Sequence, residues 1–324
     1  MSTSQQSSPF AVGAADSPPA VGGAGSLHRS RQIWGLIFVS PWIIGFLAFT
    51  LFPMVASLVL SFTDYNLNEP DQINWIGLEN FQELLYVDPL VGTSLIATLK
   101  FALIALPLSI ILPIAIAALL NSPYLAGKRI FRTLFYMPYI VPLISGVYIW
   151  QGMLNSETGW INRLLAEIGI MGPNWLNDVN WIYPALNIIG LWGIGNAFLI
   201  TLASMQGVPT ELYEAARVDG ANPWRRFRSI TIPMISPVIF YNLVLSLIGL
   251  FRYFEIPYIL SQGTGEPGQS TMFFTIHLYK QAFVFKEMGY GSALAWVLFV
   301  LAFIATFILF LSARYWVYYS NEEF

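Results

Sequence analysis

From Tyr290 to Ala313 the chain carries no charged residue. A helix of that length, at about 1.5 Å per residue, crosses the roughly 30 Å hydrocarbon core of a bilayer. Six such apolar runs follow one another, near 33–62, 94–120, 133–153, 182–205, 234–260 and 290–314. The fold class they predict is all-α: a polytopic membrane protein with about six transmembrane helices. Composition agrees, since only 10% of residues are charged, against roughly 25% in a soluble domain. So little charge cannot solvate a globule, and a soluble two-domain enzyme is excluded.

The first run is the longest and holds Pro41 and Pro53, which are expected to kink it or divide it into an interfacial stretch and a span. No small-residue cleavage site follows a short apolar region, so it reads as a retained span rather than a signal peptide. Residues 1–30, rich in Ser, Ala, Gly and Pro, have too few large apolar side chains to offset the entropy of ordering and are expected to be a disordered tail. Residues 31–324 then form one transmembrane domain. The chain has no Cys, which removes disulfides, iron–sulfur clusters and zinc thiolates together. A net charge of −3 with scattered bases argues against a nucleic-acid surface.

Orientation follows from the bases, because cytoplasmic loops keep Lys and Arg. With both termini inside, the inner segments hold Arg29, Arg31, Lys128, Arg129, Arg132, Arg217, Arg225, Arg226, Arg228 and Arg314, ten of the fifteen bases. The outer side holds Arg163, Lys280 and Lys286. The opposite topology inverts the ratio, so an N-in, C-in arrangement is expected.

The loop between the fourth and fifth runs reads PTELYEAARVDGANPWRRFRSITIP over 209–233. Thr210 is placed to cap a helix whose first turns carry Glu211 and Glu214, where the dipole favours acids. Gly220 is suited to the left-handed residue that ends it. Asn222 and Pro223 restart a second helix with Trp224 and Phe227 on one face. Two readings of these residues stay open: a knob for docking a soluble partner, and an amphipathic helix resting on lipid headgroups through Arg225, Arg226 and Arg228.

The spacing Glu214-Ala215-Ala216, three residues, Gly220, nine residues, Ile230, one residue, Ile232 and Pro233 resembles the EAA loop of binding-protein-dependent ABC importers. The usual Leu before the proline is Ile232. Residues 40–66 and 254–294 look like the carbohydrate permeases related to the maltose-transporter membrane subunits, with Gly263-Thr264-Gly265-Glu266-Pro267 standing where many relatives show a compact Gly-Gly-Pro. The resemblance covers nearly the whole chain after about residue 33. It implies a MetI-like permease core in a bacterial or archaeal cytoplasmic membrane. It also implies a second homologous permease, two cytoplasmic ATPase subunits, an external solute-binding protein and a sugar substrate. Glu214, Ala215, Ala216, Asp219, Gly220, Phe227, Ile230 and Pro233 are then the residues expected to couple to the ATPase. No Walker-type G-x-x-x-x-G-K-[ST] occurs in the chain, so the chain is not expected to be an enzyme. ATP and Mg belong to the partner subunits, and no cofactor is expected here.

Polar residues within spans are the candidates for a substrate path. Arg252 and Glu255, three apart, share a helical face and are placed to pair. Asn242, Ser246, Gly249 and Tyr253 form one stripe, which suits either a path lining or helix-packing glue. Trp192 and Asn196, four apart, offer a ring for stacking on sugar CH groups beside an amide for hydroxyls. Trp150 and Gln151 at the outer end of the third run are similar but less distinctive. Two other classes compete. An ion-coupled secondary transporter wants acids deep in several spans, and Glu255 stands almost alone. An intramembrane hydrolase wants a base beside a nucleophile, yet His28 lies in the tail and His277 in an outer loop.

Overall fold

The computed structural model describes residues 24–319, and every regular element longer than an isolated bridge among them is helical. Most of the tail expected to be disordered lies outside the described residues. Helix α1 begins at Ala24, so 24–30 extend the first helix, as propagation onto an existing helix costs little. The chain divides into two units, residues 1–56 and 57–324.

In the first unit α1 (Ala24–Phe46) passes through a π turn (Leu47–Leu51) into α2 (Phe52–Leu60). Gln32–Leu60 makes a continuous helical span of 29 residues, neither kinked apart nor divided at its prolines. The reason lies just ahead of Pro53: the Phe52 N–H bonds the Leu47 carbonyl, five residues back, and the wider turn accommodates a ring that cannot donate. Phe38, Trp42 and Phe49 are exposed on this helix, a surface that suits lipid or another apolar chain.

The second unit is built around α4 (Pro89–Asn121), whose start is fixed by Asp88: its Oδ1 accepts from the Leu90 N–H at 2.8 Å, and Pro89 occupies the first helical position. Helices α9 (Gly195–Gln206) and α12 (Ile232–Phe251) pack along it, and α15 (Met288–Ala313) packs on α12. Four helices are long and apolar enough to span a membrane, and six spans result when two bent pairs each count as one.

The runs at 133–153 and 182–205 are the two bent pairs. Helices α5 (Lys128–Ile140) and α6 (Leu143–Met153) meet at 104°. Pro142 forces the preceding residue out of the helical region, and Val141 is extended at φ −67°, ψ 130°. Helices α8 (Ile182–Trp192) and α9 meet at 59°, across Gly193-Ile194-Gly195, where two glycines within three residues weaken the helix. The fifth span runs from Pro223 to Ser261. It begins as α11 (Pro223–Arg226), passes a π turn (Phe227–Thr231) just ahead of Pro233, and breaks at Arg252–Phe254 before α13 (Glu255–Ser261).

Connections 154–181, which hold α7 (Trp160–Glu167), and 262–287 lie at one end of this unit with residues 61–88, which hold α3 (Glu79–Gln82), and 122–127, 207–222 and 314–319 lie at the other. At this long-loop end the Asn80 amide donates to the carbonyls of Ser61 and Thr63, each at 2.9 Å. A Cβ on Gly289 would overlap the Thr63 carbonyl, so the start of α15 sits against the chain that leaves α2. Asp88 Oδ2 receives both His277 Nε2, at 2.7 Å, and Tyr290 Oη, at 2.8 Å. The network joins α4, α14 (Phe274–Tyr279) and α15. His277 therefore serves as a structural link; its proximity to an acid was invisible at a separation of 189 residues.

Candidate functional site: a helix-turn-helix loop and a cavity between broken helices

The loop at the short-loop end is a helix, a turn and a helix. Helix α10 spans Thr210–Val218, and its N-cap position is Pro209, with no side-chain cap. Thr210 is therefore the first helical residue and not the cap, because Pro209 already supplies the extended entry. Gly220 takes the left-handed conformation at φ 75°. The Ala221 N–H reaches back to the Ala216 carbonyl at 2.9 Å and the Gly220 N–H to the Arg217 carbonyl at 3.1 Å, the double closure that a left-handed glycine permits. Asn222 then caps α11, accepting from the Arg225 N–H at 2.8 Å. The second short helix is continuous with the fifth span through the π turn, where a separate helix was expected.

One face of the loop is anchored and the other is bare. Tyr213 Oη lies 2.8 Å from Thr231 Oγ1. Tyr213, Phe227, Ile230 and Ile232 pack on a buried cluster that includes Phe198, Leu202, Met205 and Ile235. Phe227 and Ile230 thus belong to the base on which the loop stands. Glu214, Ala215 and Asp219 are exposed and Ala216 is half-buried; Glu214 pairs with Arg217 at 3.7 Å, an exposed pair of little energetic weight. Beside them Val218 is 89% exposed and Trp224 68%, with Trp224 stacked on Phe227 at 5.9 Å. Pro233 sits in the first turn of α12, inside the span. Tyr213 and Thr231 hold the loop to its base and were missed by the sequence reading; the available signal was a single aromatic side chain on a short polar helix.

The second feature lies where the third and fourth spans break. Pro138, Tyr139, Val141, Gly146, Gly190, Trp192, Gly193 and Ile256 are among the residues lining a cavity of about 280 Å³. Trp192 meets Trp150 edge to face at 5.9 Å, and the Trp150 Nε1–H is buried with no partner among the described residues. A Cβ on Gly146 would come within 3.2 Å of the Trp192 ring, so glycine there lets the indole lie against α6. The cavity therefore offers the Trp192 indole and the Tyr139 ring beside the backbone of two helix breaks, where carbonyls and amides leave the helical ladder.

The other polar residues expected on a substrate path are not gathered there. The bend at Gly193–Gly195 separates Trp192 from Asn196 onto different helices, and Asn196 is exposed near the start of α9. Arg252 and Glu255 are both exposed and form no ion pair among the described residues, because the break at 252–254 removes the shared helical face. Asn242 is buried and donates to Thr201 Oγ1 at 3.1 Å, a packing bond between α12 and α9. Tyr253 packs against the core, stacked on Phe101 at 4.5 Å and set edge-on to Phe273 at 5.5 Å. Its carbonyl accepts from Thr275 at 2.7 Å, and its hydroxyl is buried without a partner among the described residues.

Residues 31–319 match the family model described as binding-protein-dependent transport system inner membrane component. The chain is 39% identical over 308 residues to the probable ABC transporter permease protein YesP of Bacillus subtilis, covering 93% of this chain and 98% of that one. It is 32% identical to the arabinooligosaccharides transport system permease protein AraP of the same organism, covering 87% and 89%. It is 31% identical to the lactose transport system permease protein LacF of Rhizobium radiobacter, covering 89% and 97%. A solved bacterial alginate ABC transporter, in complex with an alginate pentasaccharide-bound periplasmic protein, contains a chain of the same fold at TM-score 0.76 and 22% identity, covering 90% and 96%. With four to six apolar spans and a family match over nearly its whole length, the chain belongs to the binding-protein-dependent transport system inner membrane components, the permease subunits of ABC importers.

Proposed function

We propose that this permease carries a sugar or oligosaccharide across a bacterial or archaeal cytoplasmic membrane, with both termini and the short-loop end inside. An external solute-binding protein delivers the sugar to the long-loop end, and a second homologous permease completes the path. The named relatives that handle sugars support the substrate class. ATP and Mg are used in two separate cytoplasmic ATPase subunits, and this chain takes no cofactor.

The observation that carries the coupling role is the two-sided loop. Its anchored side ties Tyr213 and Phe227 to the cluster around Phe198 and Leu202 of α9, and its bare side offers Ala215, Val218 and Trp224 with Glu214 and Asp219. A short helix held this firmly transmits a push as a rigid body. Force on the loop moves α9, and α9 meets α8 at the bend that borders the Trp192 cavity. Closure of the ATPases thus changes access to the cavity without any chemistry in this chain. Trp192, with Asn196 on the far side of the bend, remains the sugar-contacting pair we assign. Arg252 and Glu255 are left as rim residues, and Asn242 and Tyr253 as packing.

The test is assembly and uptake by a Val218→Asp, Trp224→Ser double variant. Loss of both ATPase retention and uptake, with normal insertion, is the expected result; wild-type assembly and uptake would remove the coupling role. Among the described residues no carboxylate is buried in a span, which disfavours ion coupling. Uptake that survives ATP depletion while an ion gradient is held would reverse that preference.

A further inference from the structure

At the long-loop end a second cavity, of about 320 Å³, is lined by Tyr148 and Gln151 of α6, Ile182 of α8, Ile259 of α13, and Gln262 and Glu266 of the following loop, among others. Its size falls at the lower end of the range for small-molecule sites, about 300–1,000 Å³. The same three helices supply lining to the Trp192 cavity, through Gly146 and Val147 of α6, Ile189 and Trp192 of α8, and Ile256 of α13. Along α6 the two linings adjoin, with Gly146 and Val147 on the Trp192 cavity and Tyr148 and Gln151 on the outer one. One cavity therefore follows the other along a single three-helix wall.

The polar groups of the outer cavity are unspent. Neither the Gln151 nor the Gln262 side chain, nor the Tyr148 hydroxyl, has a hydrogen-bond partner among the described residues. Asn155 uses its Oδ1 on the Glu157 and Thr158 N–H groups, which leaves its amide NH₂ available. Glu266 commits one carboxylate oxygen to the Gly268 N–H at 2.8 Å. Amides that both donate and accept, with one carboxylate and one phenol, match the paired donor and acceptor character of vicinal hydroxyls. A phosphate or other anion is disfavoured, because no Lys or Arg lines the cavity and Glu266 does.

From this we propose a second saccharide subsite, lined by Gln151 and Gln262, that holds the trailing units of an oligosaccharide while its leading unit lies in the Trp192 cavity. The inference rests on the sugar reading above. It makes chain length, as well as sugar identity, a property that this permease selects.

Because the chain has no cysteine, single reporters are clean. Asn177→Cys, at an exposed position that also lines the outer cavity, reports that cavity, and Gly193→Cys the inner one, where a Cβ meets nothing closer than 3.7 Å. Each is introduced into the full importer in membrane vesicles and labelled with a small thiosulfonate. The probes are neutral gluco-, galacto-, xylo- and arabino-saccharides from single units to tetramers. Oligomers of at least one series are expected to slow labelling of both reporters, while single units of that series protect the inner reporter alone. Adding Gln151→Leu should raise the oligomer concentration needed to protect the outer reporter about fivefold, the worth of roughly one hydrogen bond, and leave single-unit protection of the inner reporter unchanged. Protection of the inner reporter but never of the outer one would overturn the outer subsite and leave the sugar reading standing. Protection of the outer reporter by the binding protein without saccharide would assign the cavity to a protein contact instead. No protection of either reporter by any probe would overturn both.

Discussion

His277 Nε2 stands 2.7 Å from Asp88 Oδ2, and the same oxygen accepts the Tyr290 hydroxyl at 2.8 Å. One carboxylate thereby caps the second span and ties α14 and the sixth span to it.

This network predicts an acid-sensitive long-loop end. Burial pushes the His277 imidazole below its ordinary value of 6.5 and outweighs the opposing pull of the Asp88 charge. Burial pushes Asp88 up, but hydrogen bonds from Tyr290 and the Leu90 N–H, with the His277 contact, hold its carboxyl below the ordinary 3.8. In both cases the unfolded chain binds more protons, so stability falls with falling pH. The loss starts near pH 6.5 through His277 and resumes below about pH 4 through Asp88. His277→Gln, which keeps a donor, should flatten the upper phase at small cost. Asp88→Ala should cost about 1–3 kcal/mol, because it strands buried donors and removes a helix cap. Thermal unfolding in detergent across pH checks both; an unchanged upper phase in His277→Gln would assign it to another group.

The loop yields separable defects. Proline cannot adopt φ 75°, so Gly220→Pro should break the turn between α10 and α11 and abolish ATPase retention while the spans still insert. Glu214→Lys should weaken the same contact by reversing an exposed charge. Tyr213→Phe removes only the bond to Thr231, with an expected stability loss of about 0.5–1.5 kcal/mol and a partial loss of uptake. Co-purification of the ATPase with each variant, beside a measure of inserted permease, separates docking from folding.

Much of this arrangement was legible in the sequence. Span number followed from apolar length alone, because the bilayer sets that length. The turn at Gly220 and the cap at Asn222 followed because their chemistry is local. What escaped was either long-range or a matter of backbone direction. Asp88 and His277 lie far apart in the chain, and nothing in either segment marks the other. Helical spacing placed Trp192 with Asn196, and Arg252 with Glu255, on shared faces, yet both inferences assumed a helix unbroken between them. Gly193, Gly195 and the chain at 252–254 interrupt it, so the periodicity argument failed where the path residues sit. Pro142 was visible, but its 104° consequence for the third run was not.

Sidedness has a direct readout. With both termini inside, Glu79→Cys and Asn174→Cys, both at exposed positions in long-loop-end connections, should react with an impermeant maleimide in intact cells. Lys128→Cys and Asn222→Cys should react only after permeabilisation. Labelling of Asn222→Cys from outside would invert the orientation and, with it, the direction assigned to the docking loop.

The inner cavity offers a test that separates contact from packing. Gly146 lies against Trp192, and a Cβ there falls 3.2 Å from the indole, within the range where the neighbour must give way. Gly146→Val therefore presses on the ring and fills space in a cavity of about 280 Å³, with an expected strain of about 1–3 kcal/mol. Trp192→Ala does the reverse, enlarging the cavity and removing the stacking plate. If Trp192 contacts the sugar, both changes should raise the half-saturating sugar concentration for uptake, the second by roughly tenfold for about 1.4 kcal/mol of lost affinity. Asn196→Ala should act in the same direction through a lost hydroxyl contact. ATPase retention should stay at the wild-type level in all three, since the docking loop lies at the far end of α9. Uptake measured against sugar concentration, with ATPase counted per permease, decides the matter: unchanged sugar dependence with lost ATPase would make Trp192 a packing residue and move sugar contact to the second permease.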